Sequence, residues 1–502
     1  MKSYDVIVVG AGNGGLVAAK GLNNAGYKVL LLDEHNNVGG LSRNIKKGRF
    51  EFIPSFHCLF TNGDYFNINK LFKDIGVKES IEFKDINSEF KIFTKDNAYT
   101  LPLGIDNFID SLVGYVPDSK ESLIKFFELA EECSEALEYL INKGNDYEFI
   151  KENYENFIKL SNMSLSKVLD IINMPLKAQE IINSFWIYLG SPETEISFVH
   201  YSSLLFRMLK NGIMIPSKGS YEIGQAILNS YLENGGEVKY NSKVVNLIIE
   251  DNKCKGVKLL DGTCYLAKNI IVNSDIKSIY EKLVLPEELP LNAVKNINQR
   301  EIGPKVFTVC LGLNRTCEEL GLNNFNYFVY NSLDSDAVFK EMKTINNSNM
   351  IACNFSNVLE MSSIGTSVLS LSTLFVDDCF NNSVDDSNYE DIVNNVVNNL
   401  LDNFEKSTSI MIREFIEEIE VLTPVSIASY ASNSLSSSYG FKLTGLDNLV
   451  PRILNKSDEC YVEGLVDCGG FDGDLFDEIS AYRSGFEAYL KVCEKNSGEL
   501  NE

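Results

Sequence analysis

The sequence predicts an α/β fold: a leading domain built on a parallel sheet wound through β-α-β units, coupled to an α+β domain of mixed sheet and helical cap. Three observations predict it. Between Tyr4 and Gly40 the chain runs through an apolar strand, a glycine turn, a helix and a second apolar strand. Strand-and-helix patterning of the same kind returns over 213–284, after a long and mostly helical stretch. From about 285 the apolar runs lengthen into strands. At 502 residues the chain is too long for one core, so two or three domains are expected.

The opening stretch reads YDVIVVGAGNGGLVAAKGLNNAGYKVLLLDEHNNVGG. Its pattern predicts a strand at 5–9, a helix to about Ala25 and a strand at 29–32. Within the turn Gly10-Ala11-Gly12-Asn13-Gly14-Gly15, the residues Gly10, Gly12 and Gly15 have G-x-G-x-x-G spacing. The first allows a tight turn, the second lets a pyrophosphate approach the backbone, and the third lets helix and strand pack closely. Phosphates then sit at the helix N-terminus, where free N–H groups and the dipole favour anions. Asp33, followed by Glu34, closes the second strand, where an acid accepts hydrogen bonds from ribose hydroxyls. The expectation is a Rossmann-like dinucleotide site.

Just beyond lies Gly39-Gly40-Leu41-Ser42-Arg43, which resembles the GG-x-x-R extension of the FAD-binding amine oxidase and phytoene desaturase superfamily. Two glycines let this loop approach the diphosphate, and Arg43 supplies a fixed cation. A plain NAD dehydrogenase has no need of a second phosphate loop, so FAD is the expected cofactor.

Composition narrows the function classes. The net charge of −25 makes nucleic-acid binding improbable and gives no bulk attraction to an anionic membrane, although peripheral contact with lipid stays open. No apolar run approaches the ~20 residues of a membrane span. The chain enters a strand almost at once, which leaves no room for a signal peptide. Its eleven cysteines are scattered without a C-x-x-C pair, as in a reducing compartment. The three histidines, His35, His57 and His200, lack ligand spacing, so no metal site is expected. A cytoplasmic chain is expected; oligomeric state stays open.

After Arg43, Arg49-Phe50-Glu51-Phe52-Ile53-Pro54-Ser55-Phe56-His57 resembles the F-x-F-D-x-G-x-H segment of retinol saturases and carotenoid isomerases, which passes beside the isoalloxazine ring. Ile53 and Ser55 depart from that pattern. His57 is a candidate proton donor, with a loop-bonding histidine as the alternative. Over 76–212, Asp118-x-x-Glu121 resembles a capping box that opens a helix with Leu123, Phe127, Ala130, Leu137 and Ile141 near one face. The aromatic-rich stretch that follows roofs an apolar tunnel in the resembling enzymes. Trp186, Tyr188, His200 and Phe206 are therefore candidate substrate contacts, with plain helix core as the alternative for each. His200 and Arg207 either meet a polar head group or face solvent.

Residues 212–284 resemble the second FAD-domain segment of phytoene desaturases, with Pro216, Gly219, Gly235, Gly236, Val244, Leu247, Asn273 and Asp275 at matching positions. Pattern alone predicts a helix over 221–233, then strands near Val238 and over 244–250, 254–259 and 269–272, with hairpin turns at Asp251-Asn252 and Asp261-Gly262. The resemblance places the Val244 backbone against adenine and Asp275 at the cofactor. Strands are expected over 305–313, 327–330, 350–355 and 368–376, and a helix over 389–404. In the last segment Gly464, Asp467 and Gly473 stand in for the family's cofactor residues with shifted spacing. Asp472, Asp474, Asp477 and Glu478 crowd the start of the final helix: either these N-terminal acids face solvent, the reading favoured for most of them, or the flavin is hard to reduce, or it is not held in the usual way.

Taken over nearly the whole chain, the resemblance is to the phytoene desaturase, carotenoid isomerase and retinol saturase group. It implies an FAD-binding domain of the GR2 type in three segments (1–75, 213–284 and 431–502), a helical cap at 76–212 and a substrate-domain sheet at 285–430. It also implies flavin chemistry on a C–C bond of a long apolar or polyene substrate: desaturation, saturation or redox-neutral isomerisation. The alternatives are a flavin amine oxidase and a non-catalytic prenyl-binding protein of the Rab escort type.

Overall fold

The structure, a computed structural model, describes residues 3–54, 60–61, 67–143, 146–298, 300–430, 440–442, 461–469 and 478–499. Ser55, His57, Asp472, Gly473, Asp474 and Asp477 lie outside that set. The predicted α/β class is the one observed.

Two seven-stranded sheets organise the chain. The first runs, edge to edge, through Glu237–Lys239, Val29–Leu32, Ser3–Val9, Cys264–Asn273, Lys253–Leu259 and Val244–Glu250. Strand Cys264–Asn273 is its spine. One edge pairs in parallel with the first strand, from Ser3↔Leu266 to Val9↔Val272. The other edge is divided: residues 264–266 pair antiparallel with 256–258, and residues 270–273 pair in parallel with Leu465–Cys468. Three stretches far apart in sequence therefore share one strand. Gly464 makes the hand-over possible. Its φ is +80° and a Cβ there would lie 3.0 Å from the carbonyl oxygen of Lys268, so a side chain is excluded twice over. The hairpin at Asp251-Asn252 has φ of +51° and +61°, the paired positive values of a type I′ turn.

The second sheet orders as Ile416–Leu422, Lys305–Leu313, Ser367–Phe375, Met350–Cys353, Asn326–Val329, Phe90–Phe93 and Ala98–Leu101. Its central strands are buried on both faces, and their alternation decides which core each side chain joins. Val306 and Cys310 point toward the helical cap, whereas Phe307, Val309, Leu311 and Leu313 point toward helix Tyr389–Thr408. The predicted elements over 221–273 and 305–376 agree with the observed strands and helix to within a few residues at each end. The mostly helical reading of 76–212 needs correction at its start: Phe83–Ile86, Phe90–Phe93 and Ala98–Leu101 are strands. No capping box forms at Asp118. Pro117–Ser119 is a 3-10 turn that runs straight into helix Lys120–Lys143.

The cap docks on the second sheet's domain through a polar seam. The Glu193 N–H donates to Ser335 Oγ (3.1 Å) and the Thr194 hydroxyl to Asp336 Oδ1 (2.6 Å). Burial, reinforced by Asp336, Asp334, Asp170 and Glu180, pushes the Glu193 carboxyl from 4.5 to about 7. The folded state thus holds this proton more tightly than the unfolded chain. Its stabilisation is complete below about 4.5 and disappears as pH rises through about 7. Thermal unfolding should show the wild-type Tm falling between pH 4.5 and 7.5 relative to Glu193→Gln, by on the order of a few degrees. Parallel curves for the two proteins would remove Glu193 as the cause.

Candidate cofactor and substrate site

The glycine turn is a cradle shaped by close approach. Gly10 has φ +95°, and its N–H donates to the Leu32 carbonyl (2.7 Å), which ties the turn to the end of the second strand. A Cβ on Gly15 would lie 1.9 Å from the carbonyl oxygen of Gly10, so helix Asn13–Asn24 can start this close to the strand only with glycine there. Helix Glu478–Glu499 then crosses it. A Cβ on Gly485 would stand 2.1 Å from the Gly14 carbonyl oxygen. The N-cap of Asn13–Asn24 is Gly12, which offers no side-chain cap, and a helix N-terminus of this kind favours an anion.

The second loop closes over the first. The Gly39 N–H donates to the Ala11 carbonyl (2.8 Å), and a Cβ on Gly40 would be 3.4 Å from the Gly12 Cα. Gly39, at φ +104°, and Gly40, at +55°, sit in the left-handed region, as their identity requires. Asn13 Nδ2 donates to Ser42 Oγ at 2.8 Å and so joins the two loops. Arg43 is buried; its Nε donates to the Gly40 carbonyl (3.0 Å) and its Nη1 to Asn37 Oδ1. The guanidinium is held rigid inside the loop, an arrangement that costs little entropy when it meets a phosphate. Leu41 sits between Gly40 and Ser42 on the same short 3-10 turn.

Asp33 stands at the end of the second strand, as expected. Its Oδ2 accepts from the Ala11 N–H (2.7 Å) and its Oδ1 from the His35 N–H (2.8 Å), with His35 Nδ1 at 3.2 Å. The carboxylate is thereby bonded into the glycine turn itself, a link that the motif alone does not reveal. Glu34 pairs with Lys243 at 2.8 Å, one residue before Val244. Val244 begins its strand with its side chain buried among Tyr4, Ile7 and Leu30.

Other expected residues have their side chains engaged elsewhere. Asp275 is fully buried, and both carboxylate oxygens bond Ser278, one to its N–H (2.7 Å) and one to its hydroxyl (2.5 Å). Burial raises its pKa against the opposing pull of those bonds. Its visible work is capping the turn at Ile276–Ser278. Gly464 serves the strand crossing described above, and Asp467 lies opposite Val272 in the last strand. Trp186, Tyr188, His200 and Phe206 are all buried in the large core between cap and sheet. Trp186 meets Phe339 edge-on at 6.2 Å and Tyr188 meets Phe328 at 5.6 Å, so both join roof to floor. Phe50, on the segment expected beside the ring, fills the space left by Gly312, where a Cβ would be 2.6 Å from its ring.

Two residues that site reasoning from sequence passed over stand out. Asn273 packs its side chain into the glycine turn. Asn183, fully buried in the cap, has neither its Oδ1 nor its Nδ2 bonded among the described residues. An amide buried in this way costs roughly 1–3 kcal/mol per unpaired group, a cost a bound polar group or water removes. No helix among the described residues is long and apolar enough to cross a membrane.

The comparisons with known proteins agree with this geometry. A family profile described as flavin containing amine oxidoreductase matches residues 14–431. The chain is 26% identical over 327 residues to a 4,4'-diapophytoene desaturase (4,4'-diapolycopene-forming) of Methylomonas sp, a match covering 62% of this chain and 61% of that protein. It is 24% identical over 371 residues to the all-trans-retinol 13,14-reductase of Danio rerio, covering 69% of this chain and 60% of that protein. The match thus spans about three fifths of the length of both relatives. Among solved structures, an oxidoreductase from Methanosarcina mazei superposes with a TM-score of 0.65 at 14% identity, covering 97% of this chain and 100% of that one, a likeness of fold. FAD is the cofactor, and the residues fit it: a glycine turn packed too closely for side chains, a helix start without a side-chain cap, a rigid arginine and an acid at the end of the second strand.

The cradle makes a direct prediction. Gly15→Ala should lose most bound flavin and unfold at lower temperature, because the new methyl meets backbone and cannot be accommodated by a side-chain rotation. Gly114→Ala, in a helix with open space around it, is the control: it should keep its flavin and not lower the unfolding temperature. Flavin absorbance per protein after gel filtration reads the first effect, and calorimetry the second.

Proposed function

The chain belongs to the flavin containing amine oxidoreductase family, and from that premise we propose that it is an FAD-dependent oxidoreductase acting on a C–C bond of a long apolar, polyene-like substrate. When bound, FAD supplies the hydride acceptor or donor, chemistry that side chains lack. The chain's own part is to hold the diphosphate, align an apolar chain and keep water out. The observation that carries the reading is the joined pair of glycine loops, Gly39 on Ala11 and Gly40 on Gly12, with Arg43 locked behind them.

An apolar substrate class is supported by the composition of the cap and second sheet. The cap and sheet enclose a core of aromatic and aliphatic side chains, among them Phe90, Phe108, Phe185 and Phe328. Surroundings this apolar suit a hydrocarbon chain better than a small charged amine. The two named relatives act on a diapophytoene and on a retinol, one as a desaturase and one as a reductase, which supports a polyene and leaves both redox directions in play. Trp186, Tyr188, His200 and Phe206 remain the proposed contacts along that chain, with His57 the proposed proton donor.

Purified protein should be yellow and release FAD on denaturation; colourless protein that takes up no added FAD defeats the proposal. Anaerobic incubation with acyclic polyenes and with retinol, using oxidised and reduced FAD in turn, separates the reactions by mass: two hydrogens lost, two gained, or none with altered retention. His57→Ala should slow turnover at least about tenfold while keeping its flavin. Full activity in that variant would return the histidine to a packing role.

A further inference from the structure

Asn273 is the last residue of the spine strand, where the three segments of the first domain converge. Every glycine of the turn closes on it. A Cβ built on Gly10 would lie 2.9 Å from its carbonyl oxygen, on Gly12 2.6 Å from its Nδ2, on Gly14 2.7 Å from its Oδ1 and on Gly15 3.3 Å from its Cβ. The bare turn is therefore as much a mould for this side chain as for a ligand. On the far side, the Cys468 thiol donates to Asn273 Oδ1 at 3.7 Å, and a Cβ on Gly469 would stand 3.8 Å from the same oxygen.

That contact favours one orientation of the amide. A buried thiol, pushed up by its burial and so kept protonated, donates and needs an acceptor. Oδ1 accordingly faces Gly14 and Cys468, and the NH2 group faces Gly12, the position whose missing side chain admits a diphosphate. We propose that Asn273 is a positioning residue for the cofactor diphosphate, its carboxamide propping the glycine turn and turning a neutral N–H donor to the side where the phosphates lie. The inference rests on the FAD reading above and adds a residue to that site.

The test compares wild type with Asn273→Asp, nearly isosteric but carrying a negative charge, and Asn273→Ala, which removes the prop. FAD affinity is measured by flavin fluorescence at low and high salt, with the Tm of each flavin-free protein alongside. Asn273→Asp should bind FAD at least about tenfold more weakly, and the deficit should shrink at high salt, because charge repulsion is screened. Asn273→Ala should weaken binding independently of salt. An Asp variant that binds as wild type does, or one whose deficit ignores salt and tracks a Tm loss equal to that of the Ala variant, overturns the proposal. Should the Asp variant fail to fold, Asn273→Ser must still weaken FAD binding, and unchanged affinity there overturns it equally. Wild-type protein that takes up no FAD would defeat the cofactor reading itself, and this one with it.

Discussion

The absence of side chains along one short turn is the constraint on which everything else here depends. Between Gly10 and Gly15 the backbone comes within van der Waals range of itself, of Asn273 and of helix Glu478–Glu499. At Gly10, Gly14 and Gly15 the approach is to backbone and excludes a methyl group at a distance no rotamer change relieves. The first strand, the spine strand and the final helix can meet only because those positions are bare. The same bareness leaves amides pointing outward at a helix start, so packing and anion binding are two uses of one surface.

From that junction the rest of the molecule follows as layers. The first sheet carries the turn on the ends of its parallel strands, where ligands of open α/β sheets bind. A separate two-stranded hairpin at 45–52 reaches the second sheet through Lys47 with Glu420 (3.3 Å) and Arg49 with Glu417 (2.5 Å). These exposed pairs add little energy each, but they cover and charge an edge strand that would otherwise invite pairing with another chain. The cap closes the opposite face of the second sheet with aromatic contacts such as Phe90 on Phe185, centroids 4.9 Å apart.

Much of this was legible in the residues, and the reasons differ by element. The strand-turn-helix at the start and the hairpins at 251–252 and 261–262 announce themselves because glycine, asparagine and aspartate mark backbone geometry locally. Strand Ile416–Leu422 went unread: its Ile-Glu-Glu-Ile-Glu spacing fits a helix face equally well, and only pairing with Lys305–Leu313 decides the matter. The hairpin Phe90–Phe93 and Ala98–Leu101 carried a period-two pattern but lay inside a long helical context. The resemblance put Asp275 at the cofactor, and the structure adds that both its carboxylate oxygens bond Ser278, three residues on. The packing of Asn273 could not be read at all, since its partners lie more than 250 residues earlier and nearly 200 later.

The divided edge of strand Cys264–Asn273 also bears on how the molecule comes into being. Its parallel partner, Leu465–Cys468, emerges from the ribosome only after the entire second sheet has been made. Until then the spine holds an uncovered backbone ladder at 270–273, and the turn beside it has no final helix against which to settle. The nucleotide cleft is therefore completed by the segment made after both sheets' other strands, a long-range closure that sets contact order high and folding slow.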